Sequence, residues 1–182
     1  MLYRTVLGLL AVTGMRISEA LGLDGDDVDL DAGVLTIRNT KFGKSRQLPL
    51  HPSTVQALAG YDQHRAELWP RPWTHSFFVS TNGNRPNKSN VEKVFRDLRR
   101  SVGLEQPRGL PNPRIHDLRH SFAVRTVIDW HRAGVEVQSR LLWLSTYLGH
   151  VEPSDTYRYL TAAPELLALA AKRLELTLGD LP

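Results

Sequence analysis

The chain has 182 residues, 41% of them hydrophobic, and a formal net charge of +4. That length suits one domain, or one domain with a terminal extension, and is enough to bury a good core. There is no cysteine, which excludes a disulfide framework, thiolate chemistry and a cysteine-based zinc site. The lack of cysteine fits a reducing compartment, and a cytoplasmic location is expected. The positive balance is a mild pointer to a polyanionic partner. The apolar run from Val6 to Val12 is too short to span a bilayer and reads as a buried helix, so no membrane partner is expected.

In chain order, Leu2 to Val12 has helical apolar spacing, and Ser18 to Leu23 reads as a second, short helix. Asp24 to Asp31 is an acidic, glycine-containing turn. Val34 to Ile37 and Arg46 to Leu50 are strand-like, and the turn between them makes the pair a β-hairpin. Pro52 opens a helix through about Glu67, because proline suits the first helical position. Trp69 to Pro72 breaks the chain. Ser76 to Ser80 reads as a third short strand, ended by Asn82-Gly83-Asn84. Asn87 to Val102 is helical, with Val91, Val94, Phe95 and Leu98 on one face. A Pro/Gly loop, Gln106 to Pro113, leads to helical stretches at Ile115 to Arg132, Val135 to Leu148 and Ser154 to Leu160. Pro164 starts a last helix. The fold class is therefore α+β: mainly helical, with a small three-stranded antiparallel sheet.

Four segments carry chemistry: Thr13-Gly14-Met15-Arg16-Ile17-Ser18-Glu19; Thr40-Lys41 through Leu48-Pro49-Leu50; His116-Asp117-Leu118-Arg119-His120; and Leu148-Gly149-His150 followed by Thr156-Tyr157-Arg158-Tyr159. Together they supply two arginines, a hairpin lysine, histidines and a tyrosine. Phosphoryl transfer at a DNA diester calls for such a set. Arginine suits the charge that builds on the non-bridging oxygens, because its fork is planar and always charged. Pre-placed cations and donors usually give the largest share of catalysis. A tyrosine oxygen can attack phosphorus and hold it covalently. Lysine or histidine can protonate the departing sugar oxygen. The spacing of His116 and Arg119 puts both on one helix face. His116 and His120 also have a zinc-site spacing, but Asp117 stands where a zinc peptidase carries its glutamate, and no third ligand follows.

The order Arg, Lys, His-x-x-Arg, Leu-Gly-His, Tyr resembles the catalytic domain of the tyrosine recombinases, the phage integrase-like family. The resemblance runs from Thr13 to the last helix. It implies Arg16 and Arg119 as a phosphate clamp, and Lys41 as the residue that protonates the leaving 5′ oxygen, with Lys44 as the alternative. It implies His116 as a phosphate ligand that helps take the nucleophile's proton, and His150 as a hydrogen-bond donor to the transition state. The family places its nucleophile nine residues after the last histidine, which is Tyr159 rather than Tyr157. Glu19 and Asp117 would orient the arginine or histidine side chains.

The implied activity is site-specific recombination of double-stranded DNA through a 3′-phosphotyrosyl link, with no cofactor or metal. A non-catalytic DNA-binding fragment and a type IB topoisomerase-like relaxing activity are the alternatives. Self-association on DNA follows from the tetrameric synapse of the family. Residues 1–182 read as a single catalytic domain without the usual N-terminal DNA-clamping domain, so weak DNA affinity is expected. The stretch between Arg119 and His150 is longer than usual in the family and reads as lengthened helices. The helix at 163–178 either docks on its own core or packs on a neighbouring protomer. The cluster of Arg96, Arg99 and Arg100 is either a solvated face or a phosphate contact.

Overall fold

A computed structural model describes residues 1–38, 45–70 and 74–149. The chain divides into two compact units, residues 1–119 and 120–182.

The first unit opens with α1 (Leu2–Thr13), which buries Val6, Leu9 and Leu10. Gly14 ends α1 in the left-handed conformation at φ 62°, and its N–H donates to Leu10 O. A side chain there would be strained, so glycine sets the sharp exit. Helix α2 (Ile17–Gly22) follows at once, then a 3-10 turn at Gly25–Asp27. Strands β1 (Val28–Asp29), β2 (Val34–Ile37) and β3 (Arg46–Pro49) form an antiparallel sheet in that order. Leu35 pairs with Leu48 and Ile37 with Arg46. Leu35, Ile37 and Leu48 are all buried, so most of the inner face of the sheet is apolar.

Helix α3 (Pro52–Leu68) starts with Pro52 behind a cap in which His51 Nδ1 accepts the Ser53 N–H. Helix α4 (Lys88–Ser101) is capped by Asn87, whose side-chain oxygen accepts the Ser89 N–H at 2.8 Å. Both starts fall where the sequence puts them.

The third strand does not. Val28–Asp29, inside the acidic stretch read as a turn, completes the sheet. Ser76 to Ser80 makes a single bridge, Asp24 to Ser76. Its backbone is engaged elsewhere. The Val79 N–H donates to Tyr61 Oη at 2.9 Å, Arg65 donates to the carbonyls of Ser76 and Phe77, and the Phe77 N–H donates to Leu23 O. The apolar run is there to pack: Phe77 and Phe78 lie 5.7 and 5.1 Å from the Tyr61 ring. Burial, rather than strand pairing, explains its composition.

Helix α5 (Asp117–Arg132) begins with the last turn of the first unit. In the second unit, Ala123, Val127 and Ile128 of α5 pack on Val137, Leu141, Leu144 and Leu148 of α6 (Val137–Leu148). Tyr147 stacks on Phe122 at 5.7 Å, a packing role. The Glu136 carboxylate caps α6 by accepting the N–H groups of Gln138 and Ser139. Gly149 ends it at φ 68°. The long stretch between Arg119 and Gly149 is thus helical, as expected. The helical stretches expected after His150 lie outside the described residues.

Candidate active site

Arg16 stands between α1 and α2, at the cap of α2. Arginine is a poor cap, because it has no acceptor for the orphan N–H groups and its charge opposes the helix dipole. Glu19, in the first turn of α2, compensates. Its Oε2 accepts the Arg16 backbone N–H at 2.8 Å, half of a capping box, and its Oε1 accepts from Arg16 Nη1 at 3.0 Å. One carboxylate therefore fixes both the backbone and the side chain of Arg16. A local rule is broken at the cap and repaired by a neighbour, which is typical of a functional position.

Glu19 also receives a second arginine from the sheet. Arg46 Nη1 donates to Oε1 at 3.1 Å and Nη2 to Oε2 at 2.8 Å, a fork-to-fork pair. The Glu19 side chain is 8% exposed and that of Arg46 12%. Burial pushes the Glu19 carboxyl toward the neutral form, but the hydrogen bonds from Arg46 and Arg16 outweigh it, and its pKa falls below 4.5. Glu19 is a carboxylate at neutral pH.

Arg119 enters from the first turn of α5 and is 2% exposed. Its Nη1 donates to the Gly14 carbonyl at 2.9 Å. Gly14 is two residues before Arg16, so the same tight turn that presents Arg16 also anchors Arg119. The structure brings both box arginines to one corner. His116, one turn before Arg119, is exposed. Its pKa is lowered from 6.5, first by partial desolvation and then by the Arg119 guanidinium; Asp117 opposes this, and Arg114 and Arg16 add to it. His116 is thus within electrostatic reach of both arginines. Asp117 accepts the Arg114 backbone N–H at 2.7 Å, steadying the turn before His116.

The approach to this turn is held from α4. Arg99 is 9% exposed and donates to the Pro113 carbonyl at 2.9 Å, while Arg100 pairs with Glu105. The basic cluster of α4 therefore splits. Arg99 is a buried clamp on the loop leading to His116, and Arg96 and Arg100 face solvent.

Lys41, His150 and Tyr159 lie outside the described residues, as do Lys44 and Tyr157. Among the described residues, no group of three or more histidine, aspartate or glutamate side chains is placed to hold a metal ion. The residue that sequence reasoning missed is Arg46. It had a signal: Arg46 and Leu48 alternate onto the same face of β3, and Leu48 is fully buried. An arginine in the inward register needs a carboxylate partner.

The family model described as the phage integrase family matches residues 1–165. The chain belongs to the phage integrase family. A putative integrase/recombinase, y4rB, of Sinorhizobium fredii is 45% identical over 95% of this chain and 55% of its own length. The tyrosine recombinase XerD of Mycobacterium tuberculosis is 35% identical over 86% of this chain and 46% of its own length. This integrase-family chain thus spans about half the length of the curated relatives it matches.

Among solved structures, the XerA recombinase superposes with a TM-score of 0.75 at 23% identity, over 94% of this chain and 60% of that one. The XerH site-specific recombinase, in a post-cleavage complex with its palindromic difH substrate, superposes with a TM-score of 0.72 at 26% identity, over 95% of this chain and 46% of that one. The fold of the integrase-family chain is that of these recombinases: mainly helical with a small three-stranded antiparallel sheet.

Proposed function

We propose that this chain is the catalytic part of a site-specific recombinase that cuts and rejoins double-stranded DNA through a 3′-phosphotyrosyl link. The observation that carries the reading is the shared corner of Arg16 and Arg119, with Glu19 fixing the first arginine and the Gly14 carbonyl anchoring the second. Two guanidinium groups, one on this turn and one anchored to it from α5, suit the non-bridging oxygens of a single phosphodiester. The relatives named as integrase/recombinase and tyrosine recombinase support the same chemistry.

In this reaction Tyr159 attacks the scissile phosphorus and its phenolic proton passes toward His116. The bond to the 5′ oxygen breaks, and Lys41 protonates that departing oxygen to give a 5′ hydroxyl. Arg16, Arg119 and His150 hold the oxygens as charge builds on them. The phosphotyrosyl ester keeps the bond energy, so a 5′ hydroxyl from a partner strand reverses the step and rejoins the DNA. Two strands must meet for this exchange, so the protein self-associates on its DNA. The reaction belongs where the DNA is, in the cytoplasm; among the described residues no helix is long and apolar enough to cross a membrane.

A duplex nicked next to the cleavage site tests the reading, because loss of the short strand traps the covalent intermediate. Wild type accumulates a protein–DNA adduct, Tyr159→Phe binds the duplex without forming one, and Tyr157→Phe still forms it. An adduct that persists in Tyr159→Phe and vanishes in Tyr157→Phe overturns the assignment of the nucleophile. No adduct from any form, with DNA binding intact, favours the non-catalytic alternative.

A further inference from the structure

Arg46 has no part in the mechanism above, yet it is placed to control it. The two oxygens of Glu19 are each shared. Oε1 accepts from Arg16 Nη1 and Arg46 Nη1, and Oε2 from the Arg16 backbone N–H and Arg46 Nη2. Arg46 takes the forked, bidentate seat, while the Arg16 guanidinium meets the carboxylate through Nη1. Resting on the recombinase reading, we propose that Arg46 is a positioning residue: through Glu19 it fixes the orientation of Arg16 toward the scissile phosphate.

Two physical effects support this. The first is geometry. With both oxygens held in the plane of the Arg46 fork, Glu19 cannot rotate to form its own bidentate pair with Arg16. Such a pair would swing the Arg16 fork toward the protein and away from a substrate. Arg46 is itself fixed by its register, being paired with Ile37 and sharing the inner face of β3 with fully buried Leu48. The sheet therefore sets the carboxylate, and the carboxylate sets the arginine. The second effect is charge. Arg16 and Glu19 alone are a neutral pair. With Arg46 the three side chains carry a net positive charge, which favours the additional negative charge that builds on the phosphate oxygens in the transition state.

A buried ion pair is weak support for stability, because desolvation offsets the attraction. Retaining two arginines on one carboxylate points to a role beyond holding β3 on α2.

The test is single-turnover adduct formation on the nicked duplex, with DNA affinity and thermal midpoint measured on the same samples. A mispositioned catalytic group costs about 10²-fold in rate, so Arg46→Met should slow adduct formation on that order while affinity stays within about threefold. Arg46→Lys keeps the charge without the fork and should fall between wild type and Arg46→Met. In a Glu19→Gln background the Arg46→Met effect should shrink to about threefold or less, because the two residues act along one path. An additive effect in that background overturns the inference, as does a rate loss matched by an equal loss of affinity. If Arg46→Met does not melt cooperatively, Arg46→Lys decides. A wild-type rate in that variant overturns the inference, and a loss of about tenfold or more with affinity kept upholds it. Failure of wild type to form any adduct sinks the recombinase reading itself; an adduct from wild type that is indifferent to Arg46 sinks only this inference.

Discussion

The two units bury different kinds of side chain. Among the described residues, the first draws charge into its interior: the Glu19 and Arg46 side chains pair at 8% and 12% exposure, Arg119 is 2% exposed and Arg99 is 9% exposed. The buried described residues of the second unit include no charged side chain; Ala123, Val127, Leu141, Leu144 and Leu148 make an apolar seam between α5 and α6. Removing an ion from water costs several kcal/mol even after the protein relaxes, whereas burying a leucine contributes about 1.5–3 kcal/mol. A charged interior is therefore kept for what it does, and an apolar one for what it holds. The comparison predicts that variants of the two regions fail in different assays.

The largest expected effect is on stability in the second unit. Leu144 is 3% exposed within the seam. Leu144→Ala should destabilise the protein by about 2–5 kcal/mol, from lost burial plus the cavity left behind. Thermal or urea unfolding measures this. A cost below about 1 kcal/mol would mean that the seam collapses freely around the gap, and the contrast between the regions would weaken.

Next comes Arg119→Lys, where the effect should appear in rate instead. Lysine keeps the charge but loses the planar fork, one arm of which reaches the Gly14 carbonyl and the rest of which the proposed reaction assigns to the phosphate. Loss of one well-placed donor costs about 10²–10³-fold, so adduct formation should fall by that order. The melting midpoint should move less than in Leu144→Ala. If Arg119→Lys unfolds the protein as readily as the leucine variant and leaves the rate per folded molecule intact, the buried charge is architectural and the comparison breaks.

How far each region is legible in sequence follows the same division. Local signals mark the helices well: Pro52 opens α3 and Asn87 caps α4, and the α5–α6 seam follows a 3.6-residue apolar spacing. Arg16, His116 and Arg119 announce themselves because each lies in a short motif whose residues are close in sequence. Arg46 does not, since its partner Glu19 is 27 positions away and only the strand register brings them together. Val28–Asp29 was hidden for a related reason. Aspartate is depleted in strands, and a two-residue strand is defined by its pairing with β2 rather than by its own propensity. Phe77-Phe78-Val79 misled in the opposite direction, because a short apolar run signals burial without saying what pairs with it.

The smallest expected effect sharpens the comparison most, because folding and DNA binding should respond to pH with opposite signs. His116 has a folded-state pKa below its ordinary 6.5, owing to partial desolvation and the nearby Arg119. The folded protein therefore holds this proton less tightly than the unfolded chain. The contribution of His116 to stability is fully present above the unfolded value and is lost as pH falls through the lower folded value. Taken from pH 7.5 to pH 5, wild type should lose more thermal stability than His116→Gln; the exposure of the ring keeps the difference small. A bound phosphodiester reverses the local field. Its negative charge favours the imidazolium, so DNA binding should take up a proton and tighten in wild type as pH falls, relative to His116→Gln. Anisotropy titrations at matched ionic strength measure this, since salt alone moves phosphate affinity steeply. Opposite signs put His116 beside the phosphate in the cationic corner of Arg16 and Arg119. Equal signs would mean that its pKa answers only to the fold, and the proton of Tyr159 would need another acceptor.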